Sequence, residues 1–92
     1  MDKESYLIEG LLVEIERLED KEIDDQKRKL ANLFKAVREQ SGMTRKDFAN
    51  WLGIPYRTMQ EWELGRRAMP DYVLKLIAYK VVNEKKAGRI KN

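Results

Sequence analysis

Residues 44–65 read T-R-K-D-F-A-N-W-L-G-I-P-Y-R-T-M-Q-E-W-E-L-G, and this stretch decides the fold. Thr44 has a hydroxyl suited to accept from the free backbone N–H groups of a first helical turn, and Asp47 puts negative charge where the helix dipole favours it. Phe48, Ala49 and Leu52 then form an apolar stripe, and Gly53 offers the left-handed conformation that ends helices. Pro55 opens a second helix, where its missing N–H costs nothing. Met59 and Trp62, three residues apart, turn inward behind Ile54, and the small Ala49 lets the two helices cross at close range. Tyr56, Arg57, Gln60 and Glu61 point outward, all able to hydrogen-bond. A helix, a tight glycine turn and a second helix with a polar outer face make a probe for a DNA groove.

On the C-terminal side, Pro70 starts a further helix in which Val73, Leu74, Leu76, Ile77 and Val81 supply a broad apolar face, with Tyr72 and Tyr79 near one edge. It closes the core or shares part of that face with a partner. From Asn83 the sequence becomes N-E-K-K-A-G-R-I-K-N, basic and with little to bury, which reads as a flexible tail.

On the N-terminal side, Ile8, Leu11, Leu12, Ile15 and Leu18 recur at helical spacing after Ser5, a plausible N-cap, with Glu9, Glu14, Glu16 and Glu19 on other faces. The periodicity predicts an amphipathic helix of about fifteen residues, joined through the charged stretch Lys21 to Asp25 acting as a hinge. Its apolar stripe has four readings. It folds back on its own bundle, pairs with a second copy, docks another protein, or covers the basic DNA face until displaced.

Charge divides the chain. Residues 1–25 hold ten acids against three bases, and residues 26–92 six acids against sixteen bases. A segment so basic around the helix-turn-helix is the electrostatic footprint of a phosphate binder. The chain has neither Cys nor His, so it lacks thiol nucleophiles, disulfides, the commonest general base and the usual zinc ligands. With 92 residues it forms one domain with no separate catalytic unit. The reading is a binding protein and not an enzyme, with no cofactor and no metal site. No run approaches the ~20 apolar residues of a membrane span, and the N-terminus is acidic where a secretory signal is basic; the expected location is cytoplasmic.

From Leu33 to Ile77 the chain carries F-K-A-V-R-E-Q-S-G-M-T, then F-A-x-W-L-G-I, then W-E-x-G-R-R, then a proline opening another helix. In these motifs it resembles the phage-repressor and Cro type of helix-turn-helix, the XRE-like family. The resemblance implies a compact bundle of four or five helices in which the helix from Pro55 to Leu64 enters the major groove. It also implies an ion pair between Arg38 and Glu63, tying the first domain helix to the end of the reading helix. In such proteins the region after that helix often forms the dimer contact. This chain departs from the family pattern at Pro55 and Tyr56, where Ser, Thr, Gln or Arg is commoner, and at Glu61, an acid on a surface meant for phosphates.

Taken together, these readings give an all-α fold: a compact four- to five-helix bundle with a repressor-type helix-turn-helix plus an N-terminal amphipathic helix. Residues 1–25 form the acidic helix and hinge, 26–82 the DNA-binding domain and 83–92 the basic tail. Thr44, Arg45, Thr58, Arg66 and Arg67 are the candidate phosphate contacts. Tyr56, Arg57, Gln60 and Glu61 are the candidate base readers, Arg57 suiting a guanine edge and Gln60 an adenine. Glu61 is equally read as a solvated charge, and Trp51 either as packed under a flanking helix or as an exposed interaction residue. The expected function is a sequence-specific transcriptional regulator, a repressor by economy of parts, working as a homodimer on double-stranded DNA. The alternative is an antitoxin-like or adaptor protein whose N-terminal helix binds a protein partner, with DNA binding for autoregulation.

Overall fold

The computed structural model describes residues 3–17 and 25–90. In chain order these form β1 (Lys3–Ile8), β2 (Leu11–Glu16), α1 (Asp25–Ser41), α2 (Arg45–Leu52), α3 (Tyr56–Glu63) and α4 (Asp71–Lys86). The fold is therefore mixed, four helices with a two-stranded antiparallel sheet, and the all-α expectation is corrected at the N-terminus. Leu18 and most of the expected hinge, residues 21–24, lie outside the described residues.

Residues 3–16 are a hairpin and not a helix. Ile8 pairs with Leu11, Tyr6 with Val13 and Glu4 with Ile15 on one face, while Leu7 pairs with Leu12 and Ser5 with Glu14 on the other. Glu9 and Gly10 make the turn with φ of 50° and 91°, the left-handed pair that a two-residue turn matched to strand twist requires. A helical stripe and this hairpin register both put Ile8, Leu11 and Ile15 on one face, Ile8 through its pairing with Leu11 across the turn, so these residues cannot discriminate between them. Leu12 and Val13 do: a helix buries Leu12, yet here Leu12 is 59% exposed and Val13 only 1%. Two physical features favour the strands. A glycine inside a helix costs about 1 kcal/mol relative to alanine, and β-branched Ile8, Val13 and Ile15 fit a pleated, half-buried surface.

A Cβ added at Gly10 would meet only Val82 Cγ1, at 3.8 Å, an ordinary contact. Gly10→Ala is therefore expected to cost about 1–2 kcal/mol through backbone conformation alone, measured by urea titration as a lower midpoint with an unchanged slope.

α1 presents Leu30, Leu33, Phe34 and Val37 to the interior, the three- and four-residue spacing of one helical face. Gly42, at φ 76°, ends it. On one side of α1 lies the hairpin, burying Leu11, Val13 and Ile15, and on the other lie α2 and α3. α4 closes the core with Leu74, Ile77, Ala78, Val81 and Val82. Aromatic rings run through the middle: Phe34 lies 5.9 Å from Phe48 and 5.8 Å, edge-on, from Trp62. This topology sends the hairpin to α1 and α4, with no contact to α2 or α3.

The segment from Asn83 begins within α4, which continues to Lys86. Arg89 then folds back onto Glu84 with two hydrogen bonds of 2.8 and 2.9 Å, and Ile90 packs partly buried against the core. Hydrogen bonding from Arg89 holds the Glu84 carboxyl below the usual carboxylate range. Because the folded value is depressed, whatever this exposed pair adds is present at neutral pH and lost as pH falls through the carboxylate range.

Candidate nucleic-acid interface

The helix-turn-helix is built by local hydrogen bonds. Thr44 Oγ1 accepts from the Asp47 N–H at 3.1 Å and caps α2. Gly53, at φ 72°, ends it, and its N–H and that of Ile54 return to Asn50 and Ala49 carbonyls. Pro55 is the cap residue of α3, with no side-chain cap, so α3 starts one residue later than the sequence reading has it. Its first-turn N–H groups therefore receive no side-chain cap from Pro55. After α3, Gly65, at φ 73°, turns the chain so that the Arg66 N–H bonds Glu61 O at 2.9 Å.

α3 divides into two faces. Met59 is fully buried and Trp62 half-buried, and together they hold the rod from behind. Tyr56 is 45% exposed, Arg57 is exposed, and Gln60, Glu61 and Thr58 are half-buried. Arg66 and Arg67 are exposed in the following loop. Among the described elements α3 touches only α1 and α2, so neither the hairpin nor α4 covers its outer face. The described part of the acidic N-terminal segment therefore lies away from that face, against the reading in which it shields it.

Behind α3 sits a charged cluster. Arg38 of α1 donates from Nε to Glu63 Oε2 at 2.7 Å and from Nη1 to the Met43 carbonyl at 3.0 Å. Arg45 of α2 donates from Nε to Glu63 Oε1 at 3.3 Å. The Glu63 side chain is 1% exposed, with Arg38 at 14% and Arg45 at 30%. One carboxylate thus joins three helices. Arg45, a candidate phosphate contact in the sequence reading, has its Nε committed to Glu63 and only its terminal nitrogens uncommitted. Such tethering orients the guanidinium, as the fixed fork geometry of arginine allows.

Trp51 is half-buried, its ring stacked 5.7 Å from Phe48, with Lys80 Nζ of α4 4.7 Å from the ring centroid. Sequence reasoning missed two exposed residues beside the site. Leu64, 50% exposed, follows Arg57 by seven positions and Gln60 by four, which places it on the same outward side. Lys46, exposed in the first turn of α2, stands next to Thr44 and Arg45. The signal for Leu64 was its helical spacing from Arg57 and Gln60, since the sequence reading already ran the helix to Leu64, one residue beyond the end of α3 at Glu63.

Among the described residues no cluster of acidic side chains is arranged to hold a metal ion, and no helix is long and apolar enough to cross a membrane. What the arrangement offers chemically is recognition: guanidinium, amide and phenol donors on one convex rod, with arginines at both ends. Compared with protein-family models, curated proteins and solved structures, the chain matches none.

Proposed function

We propose that this chain is a sequence-specific DNA-binding regulator of the repressor and Cro type, which inserts α3 into the major groove. The observation that carries the reading is the uncovered polar face of α3, held rigid from behind by Met59, Trp62 and the Arg38–Glu63–Arg45 cluster. A short helix buried on one side and bare on the other has the width the major groove admits. Arg57 reads a guanine edge, Gln60 an adenine, and Tyr56 and Leu64 pack on thymine methyl groups. Glu61 accepts from cytosine. Arg66, Arg67, Lys46, Thr58, Thr44 and the free nitrogens of Arg45 grip phosphates and set the register. The protein acts as a homodimer on two half-sites roughly 34–36 Å apart. It represses by occupying a site that polymerase needs, in the cytoplasm where such DNA lies.

A second reading, an antitoxin-like or adaptor role through the N-terminal segment, draws on one observation: Leu7 and Leu12 stand 73% and 59% exposed, side by side on the outer hairpin face. It is the weaker reading, because the opposite face of the hairpin is spent on the chain's own core.

Selection of bound duplexes from a random pool tests the proposal, and a symmetric consensus is the expected result; a bound pool with no consensus would count against base reading. On the selected site, Arg57→Ala is expected to cost about 1–3 kcal/mol and to relax preference at one base pair. Arg66→Ala should weaken all sequences alike and reduce the salt slope by about one. Equal weakening of every sequence by both variants would remove Arg57 from the base-reading role.

A further inference from the structure

β2 has a free edge beside α1. The two-residue turn at Glu9 and Gly10 makes Ile8 and Leu11 a hydrogen-bonded pair, and in an antiparallel ladder bonded and non-bonded pairs alternate. Leu12, Glu14 and Glu16 therefore turn their backbone groups away from β1. The Leu12 carbonyl bears this out, accepting from Gln40 Nε2 of α1 at 3.3 Å. Among the described residues, the Glu14 backbone N–H and C=O have no partner. A groove runs along this edge, about 240 Å³ toward Glu16 and Asn32 and about 460 Å³ toward Leu12 and Gln40, with Glu14, Ala36 and Glu39 lining both parts. Its two walls match in length. Leu12 to Glu16 spans about 13 Å of strand, and Asn32 to Gln40 about 12 Å of helix.

We propose that this groove receives an extended segment of a partner protein, which adds antiparallel to β2 as a third strand and sets a basic side chain opposite Glu14 and an apolar one opposite Leu12. The hairpin does not touch α3, so the proposal stands independently of the DNA reading.

Three features select that occupant. A main-chain donor and acceptor bare on a strand edge are matched by another main chain in extended form, the chemistry of strand addition. Sterics then exclude a second copy. α1 packs on β2 and not on β1, which puts it beneath the outer edge of the sheet. Two copies joined through β2 would hold those strands ~4.8 Å apart and force their α1 helices closer than the roughly 8–10 Å that helix packing needs. Charge sets the side chains. Lys3 lies opposite Glu16 in the register, Lys35 stands one helical turn before Glu39, and Lys85 donates to Gln40 Oε1 at 3.0 Å. Glu14 is the acid left without a base, opposite Ser5, whose hydroxyl is a long 3.5 Å from its carboxylate. Leu12, 59% exposed beside Leu7, extends an apolar row to the same edge.

Synthetic peptides test this on the full chain. The probe is acetyl-Thr-Thr-Thr-Arg-Thr-Leu-Thr-amide, which in antiparallel register sets its arginine opposite Glu14 and its leucine opposite Leu12. Titrated to about 1 mM and followed by amide NMR, it is expected to bind and to slow hydrogen exchange of the Glu14 N–H at least ~5-fold. In that pairing the arginine amide points at the β2 edge and the next threonine amide points away. N-methylation of the arginine should therefore abolish binding, whereas N-methylation of that threonine should leave affinity within about twofold. A peptide with glutamate in place of arginine should bind about 3–10-fold more weakly, and Glu14→Lys should reverse the preference between the two peptides.

The peptide changes leave the chain untouched, and Glu14 is exposed, so none of these outcomes turns on misfolding. Absence of binding at about 1 mM, equal loss from the two N-methyl peptides, or an unreversed preference in Glu14→Lys would overturn the proposal. So would protection of the Glu14 N–H that rises with the concentration of the chain alone, the sign of a second copy at the edge.

Discussion

Arg38→Met is expected to destabilise the chain by about 3 kcal/mol or more, because it removes the closest countercharge of a carboxylate that no water reaches. The Glu63 side chain is 1% exposed, and its shortest bond is the 2.7 Å contact from Arg38. Methionine keeps the length of the stem, so the loss reports the charge and its hydrogen bonds and not a large cavity. Arg45, at 3.3 Å and 30% exposed, offsets part of the loss and keeps the cost at the lower end of the range for broken buried pairs. A loss of that size shifts the melting temperature by at least ~12 °C in a domain of this length. The partner experiment decides the mechanism. Arg38→Met/Glu63→Met removes both buried charges, and Arg45 can turn its guanidinium to solvent. Most of the stability should return, since apolar replacement of a buried pair is commonly neutral. A double variant as unstable as the single one would mean that the cluster acts through the Met43 carbonyl bond and the turn it pins, not through charge compensation. If the cluster also orients Arg45 toward a phosphate, the double variant, though stable, should bind DNA with a shallower salt dependence than the wild type.

Phe34→Ala should cost about 3–5 kcal/mol, the range for truncating a buried aromatic. Phe34 is fully buried, and its ring meets Phe48 of α2 at 5.9 Å and Trp62 of α3 at 5.8 Å. It is the aromatic side chain of α1 that meets both helices of the motif. Its loss leaves a void that rigid helices fill poorly. The local consequence is that Trp62 loses its edge-on partner, so α3 is less fixed in angle. Calorimetry or urea titration gives the stability loss. The expected DNA effect is a larger fall on the selected sequence than on random duplex, because phosphate contacts tolerate a tilted rod and base contacts do not. Equal losses on both would show that Phe34 supports the fold alone. By contrast Phe48 stacks on the half-buried Trp51, whose ring in turn lies under Lys80 of α4, so this side of α2 connects to the α4 side of the molecule.

The helix-turn-helix was legible in the sequence because its determinants are local. A cap hydroxyl at Thr44, a glycine able to take φ 72° at position 53 and an apolar pair at Met59 and Trp62 each act within one turn of chain. The N-terminal segment was read wrongly because Ile8, Leu11 and Ile15 share one face both in a helix and in the hairpin register, and the helical stripe outweighed the interruption at Gly10. Val13, assigned to no face, carried the missing information: with Leu11 and Ile15 it completes an alternation of period two. Arg45 shows the same limit in the site. Its place at the start of α2 is visible in the sequence, but Glu63 lies eighteen residues away and meets it only across the packed helices.

By itself the sequence determined that two helices joined at Gly53 lie between Thr44 and Gly65, to within one residue at each end of α3, which residues of α3 are polar, and how unevenly charge is shared between the two parts of the chain. These follow from backbone conformational preferences and composition, which act over a few residues. Only the tertiary structure decided that residues 3–16 pair as strands, that Glu63 is shared by Arg38 and Arg45, and that the acidic hairpin lies across α1 and α4 and leaves α3 bare. Each of those outcomes depends on which surfaces exclude water from one another, and burial is a property of the assembled chain, settled among alternatives that local preference leaves nearly equal in free energy.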